Sequence, residues 1–219
     1  VHGLVGENGA GKSTLMKILS GVYRADSGRI VLAGSEVAFR DPHEAQAAGV
    51  SIIFQEFSLI RGFTVAENVY LNREPVRLLG HLDLRAARER TRALLEEIGI
   101  ELDVDRKAEE LSVVQQQVVE IVKALSVTAS VLIMDEPSAA LTDKELRKLF
   151  EIIRTLTAKG VTVIYISHML EEVFEIADRV TVLKDGRVMG TRPTRELSRE
   201  DLVRMMVGRT IEDYFPPLA

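Results

Sequence analysis

The stretch Gly6-Glu7-Asn8-Gly9-Ala10-Gly11-Lys12-Ser13-Thr14 limits what this chain can fold into more than any other. It fills every fixed position of the pattern G-x-x-x-x-G-K-[ST]. A short apolar segment, His2 to Val5, leads into it, and Leu15-Met16-Lys17-Ile18-Leu19 follows with the pattern of a helix. A strand, a glycine loop and a helix in that order build an anion cradle. Glycines let backbone N–H groups turn inward and approach an anion closely. A helix beginning near Lys12 aims the positive end of its dipole at the same place. In such a cradle Lys12 reaches the β- and γ-phosphates of a nucleoside triphosphate, and the Ser13 hydroxyl ligates Mg²⁺. Gly6, Glu7, Asn8, Gly9, Ala10, Gly11 and Thr14 complete the wall around the phosphates.

At 219 residues the chain suits one large domain, or a domain with a substantial insert. The glycine loop starts only five residues in, and a strand feeding such a loop ordinarily has earlier strands beside it. The expectation is a fragment that has lost an N-terminal piece. The net charge of −5 gives no global basic field, which argues against nucleic acid as the main partner. With no cysteine there is no disulfide, thiolate nucleophile or Cys-ligated zinc. No apolar run approaches the roughly 20 residues needed to cross a bilayer, so membrane association must go through a protein partner.

Beyond the loop, Arg29–Gly34 and Glu36–Phe39 read as a hairpin, Pro42–Ala48 as a short helix and Val50–Phe54 as a buried strand ending at Gln55. The composition then changes. From Glu56 to Ser130 there is no strong strand signal, and Thr64–Leu71, Leu84–Ile98 and Val113–Ser126 read as helices, with Ala93, Leu94, Leu95 and Ile98 as the apolar face of the second. Ser112 is placed to cap the third. Alternation of strand and helix resumes with Val131–Asp135, Asp143–Ala158, Val161–Ile166 and Leu170–Ala177. A hairpin around Asp185-Gly186 and a closing helix, Ser198–Val207, follow.

Three strand ends carry polar groups suited to phosphate chemistry. Val131-Leu132-Ile133-Met134 would hold a strand in the core and deliver Asp135 at its carboxyl edge, where parallel sheets bind ligands. Asp135 is a candidate Mg²⁺ ligand, and Glu136 a candidate general base for an attacking water. Gln55 ends another strand, where it can sense the metal or the nucleophile. His168 ends a third, where a neutral imidazole could position Glu136 or the water. Leu111-Ser112-Val113-Val114-Gln115 opens a helix and offers a hydroxyl and backbone amides, though on local evidence a plain cap is the favoured reading of Ser112.

In this order, the phosphate loop, strand-end Gln55, helical insert, Leu-Ser-x-x-Gln, apolar-Asp-Glu and strand-end His168 together resemble the nucleotide-binding domain of ABC transporters. The resemblance covers essentially the whole chain. It implies an α/β P-loop NTPase domain with a parallel-sheet core, an antiparallel β edge and a helical insert. Residues 1–56 and 127–208 would form the ATPase core, 57–126 the helical signature subdomain and 209–219, with Pro216-Pro217, the start of a linker. The resemblance also implies ATP and Mg²⁺ as ligands. It places Gln55 in a Q-loop, Ser112 to Gln115 in the signature, Ala139-Ala140-Leu141-Thr142 in a D-loop and His168 as the switch histidine. In this family two such domains pair head to tail, with ATP between the phosphate loop of one and the signature of the other.

The loop sequence, the Gln115-Gln116-Gln117 run and Glu136 to Thr142 look like the first ATPase domain of bacterial monosaccharide importers. That group carries two nucleotide-binding domains on one polypeptide. The implied partners are a second nucleotide-binding domain, membrane permease subunits and, indirectly, a periplasmic sugar-binding protein. The implied location is the cytoplasmic face of the inner membrane, with Phe57 to Glu74 as the docking surface. Similar ATPases serve nucleoside importers. A non-transport ABC ATPase would need basic arms or a long coiled-coil insert, and an ATP-binding regulatory module would do without hydrolysis.

Two departures stand out. Where the usual signature has two glycines, this chain has Val113 and Val114, which cannot let the backbone approach a phosphate closely. The competent site is therefore expected on Lys12, Asp135, Glu136 and His168, with a signature supplied by the other half. The aromatic residue that normally stacks on adenine lies upstream of the loop and is absent from this sequence, which predicts reduced ATP affinity for the isolated chain.

Overall fold

The computed structural model describes residues 1–77 and 81–207. The chain runs β1 (His2–Val5), α1 (Lys12–Leu19), β2 (Ile30–Leu32), β3 (Ser35–Val37), α2 (Pro42–Ala47) and β4 (Val50–Ile53). It continues through α3 (Val65–Val69), α4 (Leu84–Glu97), α5 (Val113–Leu125), β5 (Val131–Asp135), α6 (Asp143–Ala158) and β6 (Thr162–Ile166). It closes with α7 (Leu170–Ile176), β7 (Arg179–Lys184), β8 (Arg187–Pro193) and α8 (Arg199–Val207). The predicted linker segment 209–219 lies outside the described residues.

Six strands form one sheet in the order β4-β5-β6-β1-β7-β8. The pairs β4–β5, β5–β6, β6–β1 and β1–β7 are parallel, and β8 turns back antiparallel on β7 to make the edge. β2 and β3 pair with each other in a separate two-stranded sheet, joined through Ala33 and Gly34, both at positive φ. That is the two-residue hairpin turn whose twist suits its strands.

The strands are apolar on both faces because helices cover both. Along β5 the buried side chains alternate: Leu132 and Met134 face one way, into a cluster with Phe150 and Ile153 of α6 and Val118, Ile121 and Val122 of α5. Ile133 faces the other way, with Leu4, Met16 of α1 and Ala45 of α2. A third cluster joins Val5, Val180 and Val182 to Val173 and Ala177 beside α7 and Leu202 of α8. Helices α3, α4 and α5 pack on one another, and their buried residues belong to the same apolar cluster as the sheet face and α6.

The predicted elements all form, with local differences. The apolar stripe of α4 is Ala87, Thr91, Leu95 and then Ile98, while Ala93 faces solvent and Leu94 is half-buried. The reason is the helical period: 87, 91, 95 and 98 lie on one side, and 93 lies opposite. Thr91 joins an apolar stripe because its hydroxyl donates back to the Ala87 carbonyl at 2.8 Å. Thr64 is the cap of α3 rather than its first residue; its hydroxyl and Glu67 satisfy each other's backbone amides. The hairpin around Asp185-Gly186 carries β8 as far as Pro193, because β7 offers partners along its whole length.

Candidate active site

Four consecutive strands of the sheet, β4, β5, β6 and β1, point their carboxyl ends to the same edge. Each ends in polar residues singled out above: Gln55 after β4, Asp135 and Glu136 at β5, His168 after β6 and the glycine loop after β1. The parallel register does this directly, since Ile53 lies beside Met134, Asp135 beside Ile166 and Ile166 beside Leu4.

The loop between β1 and α1 is built around close backbone approach. A Cβ at Gly6 would lie 2.3 Å from the Leu183 carbonyl oxygen, so no other residue fits without displacing β7. Gly11 caps α1 at φ 99°, a left-handed conformation that favours glycine, and brings no side chain to bond the first-turn amides. Those amides face outward at the helix N-terminus, the arrangement that binds anions. Lys12 is 7% exposed, and its Nζ donates to the Gly6 carbonyl at 2.7 Å and the Glu7 carbonyl at 3.2 Å. The ammonium is thus fixed in the mouth of the loop. Ser13 and Thr14 are exposed on the first turn. The Gly186 amide, in the β7–β8 turn, donates to the Ala10 carbonyl at 3.0 Å and braces the loop from behind.

Asp135 is half-buried, and its carboxyl is pushed above the usual range by burial and then by the neighbouring Glu136 charge, against the pull of Lys12 and Lys17. Among the described residues no group of three His, Asp or Glu converges to hold a metal by itself. One hydroxyl and one carboxylate do fit Mg²⁺, which commonly takes one or two protein ligands and completes its shell with phosphate oxygens and water.

Glu136 leaves the strand at φ 47°, with its amide donating to the Ile166 carbonyl at 3.0 Å. A left-handed glutamate carries about 1–3 kcal/mol of backbone strain. The twist swings its side chain toward β6, where Oε1 lies 3.2 Å from Nδ1 of His168. Glu136 and His168 line a cavity of ≈ 460 Å³ together with Gln55 and Ser138.

Ser112 and Gln115 stand apart from these groups. They form a reciprocal cap on α5: the Gln115 amide donates to Ser112 Oγ at 3.3 Å, and the Ser112 amide to Gln115 Oε1 at 3.0 Å. Neither lines the cavity of Gln55, Glu136 and His168. Residues passed over in the sequence also reach the site. Lys17 lies 5.3 Å over the Tyr23 ring and acts on Asp135, and Glu172 lines the cavity from α7. Nothing in the sequence around Lys17 or in the Glu171-Glu172 pair distinguished either.

A family model described as ABC transporter matches residues 1–139. Ribose import ATP-binding protein RbsA 1 of Rubrobacter xylanophilus is 54% identical over 216 residues, 99% of this chain and 43% of that protein. Ribose import ATP-binding protein RbsA 2 of Streptomyces avermitilis is 49% identical over 216 residues, again 99% of this chain and 43% of the relative. The chain therefore spans less than half the length of these relatives. A crystal structure of a nucleotide-free ATP-binding cassette from an ABC transporter superposes with a TM-score of 0.79 at 27% identity, covering 98% of this chain and 87% of that one. The dimeric post-hydrolysis state of the ATP-binding cassette MJ0796, bound to ADP and Pi, does so with a TM-score of 0.72 at 26% identity, over 89% of this chain and 85% of that one.

Proposed function

The chain belongs to the ABC transporter family, and on that premise we propose that it is the ATP-binding and hydrolysing part of a sugar importer. The pairing of Glu136 with His168, in one cavity with Gln55 and beside the Gly6–Thr14 loop, carries the hydrolytic half of this reading. The identities of 49% and 54% to ribose import ATP-binding proteins support the sugar half.

The residues divide the labour as follows. Gly6 to Thr14 hold the triphosphate, with Lys12 on the β- and γ-phosphates. Ser13 and Asp135, with Gln55, hold Mg²⁺, which when bound neutralises charge on the phosphate oxygens. Glu136 takes the proton of the attacking water, a transfer that general bases accelerate by about 10²–10⁴. His168, within hydrogen-bond reach of Glu136, fixes the direction of that carboxylate. Gln55 follows β4 at the mouth of the 57–126 helical segment and links the site to it.

Residues 1–56 and 127–208 act as the ATPase core, 57–126 as the signature subdomain and 209–219 as the start of a linker. A second nucleotide-binding domain supplies a signature to the Lys12 loop, while Ser112 and Gln115 face the loop of that second domain. The dimeric cassette among the similar structures supports this pairing. Membrane permease subunits dock on residues 57–74, a periplasmic sugar-binding protein delivers the solute, and the domain works at the cytoplasmic face of the bacterial inner membrane. Among the described residues no helix is long and apolar enough to cross a membrane.

The test is reconstitution of the full-length protein with its permease and binding protein in proteoliposomes. ATP hydrolysis that rises with ribose-loaded binding protein, together with accumulation of labelled ribose, is the expected result. Hydrolysis indifferent to sugars would move the reading to another solute, such as a nucleoside. Absence of hydrolysis would remove the enzymatic reading.

A further inference from the structure

Glu172 sits in the first turn of α7 and is only 8% exposed. Its Oε2 accepts hydrogen bonds from three hydroxyls, Ser138 Oγ, Tyr165 Oη and Ser167 Oγ, each at 2.8 Å. A carboxylate suits this place because it brings acceptors alone, and hydroxyl bonds to an ionised oxygen are the strong kind. The Tyr165 phenol is fixed in turn: its ring packs edge-on against Phe150 with centroids 5.9 Å apart. Burial first, and then the Glu172 charge, push its ionisation upward, so it stays a donor.

The other two donors bracket the reacting pair. Ser138 follows Glu136 by two residues, and Ser167 immediately precedes His168. Ser167 Oγ also accepts the Met169 amide at 2.9 Å, so one hydroxyl ties the backbone on both sides of His168. Packing alone does not hold His168, whose side chain is 56% exposed, and Glu136, though 19% exposed, leaves the strand on a strained left-handed turn. The restraint comes from beneath, through one buried oxygen that joins the end of β5, the end of β6 and α7.

We propose that Glu172 is the positioning residue for the Glu136–His168 pair: it acts through the hydroxyls it holds, and sets the separation and direction of the two groups. This rests on the hydrolytic reading above for its meaning in turnover, but its structural content can be read without turnover. Displacing a catalytic group by about 1 Å costs roughly 10²-fold in rate.

The test uses the full-length protein with Glu172→Ala, Glu172→Gln, Ser167→Ala and, as a control for lost stability, Leu156→Ala in the core of α6. Steady-state hydrolysis, binding of a fluorescent ATP analogue, melting temperature and the His168 ring resonance by NMR are read for each. Expected for Glu172→Ala is a fall in kcat of about ten- to hundred-fold with little change in nucleotide affinity, and a displaced His168 resonance. Glu172→Gln, which keeps an acceptor oxygen, recovers most of the rate. Leu156→Ala lowers the melting temperature without moving the resonance. Combined with His168→Ala, Glu172→Ala adds little further loss, since both act through the same pair. An additive double mutant, or a resonance that moves equally in Leu156→Ala, would overturn the proposal. If the parent protein does not hydrolyse ATP yet Glu172→Ala alone displaces the resonance, the hydrolytic reading falls and the positioning role stands.

Discussion

Two helix N-termini in this molecule carry similar credentials in the sequence and opposite ones in space. At α1 the cap is Gly11, which contributes no side chain, and the first helical residue, Lys12, is buried against the carbonyls of the loop. At α5 the cap is Ser112, and Ser112 and Gln115 satisfy each other's amides while Val113 and Val114 fill the first two positions. The first leaves its orphan amides to a ligand. The second spends two of its amides on its own cap, and adds two β-branched side chains where a phosphate would need bare backbone. A helix dipole is present at both, so the dipole alone does not distinguish them. Donors left unclaimed, and room for the anion's approach, do.

This contrast can be broken or sharpened by substitution. The largest effect expected is from Glu136→Gln, which removes the proposed base on the open side: turnover of the full-length protein, followed by phosphate release, falls by about 10²–10⁴ while bound ATP is retained. Retained turnover would detach hydrolysis from the α1 side. Next, replacing Val113 and Val114 together by glycine costs at most about 1 kcal/mol of helix propensity per residue, measured by urea unfolding. The same pair of changes should raise hydrolysis at the site built on this signature; no rise would show that the valines are not what restricts it. Ser112→Ala costs about 1 kcal/mol by the same measurement, since it undoes the cap of α5.

The smallest change, and one of opposite sign, is expected from Asp135→Asn. The folded state holds the Asp135 proton more tightly than the unfolded chain does. Stability therefore falls as pH rises from the ordinary carboxylate range through the raised value, and the cost persists above it. The asparagine variant should be the more stable protein at neutral pH and lose that advantage in acid, with melting temperature against pH as the measurement. A carboxylate kept at a cost to the fold is expected where chemistry needs it.

How much of this was legible depended on whether a residue acts through its own chain neighbours. The glycine loop, the strand-end positions of Gln55, Asp135, Glu136 and His168, and the cap at Ser112 are local patterns, and each falls where its pattern puts it. Ala93 was misassigned because Ala93, Leu94 and Leu95 are adjacent in sequence but splay around α4. Glu172 was invisible because its partners lie 34, seven and five residues away and meet only through the sheet. No periodicity encodes a carboxylate turned inward among hydroxyls. The left-handed turn at Glu136 was equally hidden, since an acidic residue carries no mark of the positive φ it adopts.

The position of β1 has a consequence for how the protein is made. This strand, near the start of the sequence, lies between β6 and β7, and the loop that follows it is braced by Gly186. Every one of those supports is translated more than 150 residues later. The phosphate loop therefore leaves the ribosome well before the strands that flank it and the turn that braces it. Until the β7–β8 turn has emerged, the nascent loop is a flexible glycine tract with no wall behind it. The loop gains its wall only after β5 and β6 have been made, so the long-range topology places completion of the cradle after that of the strands beside it.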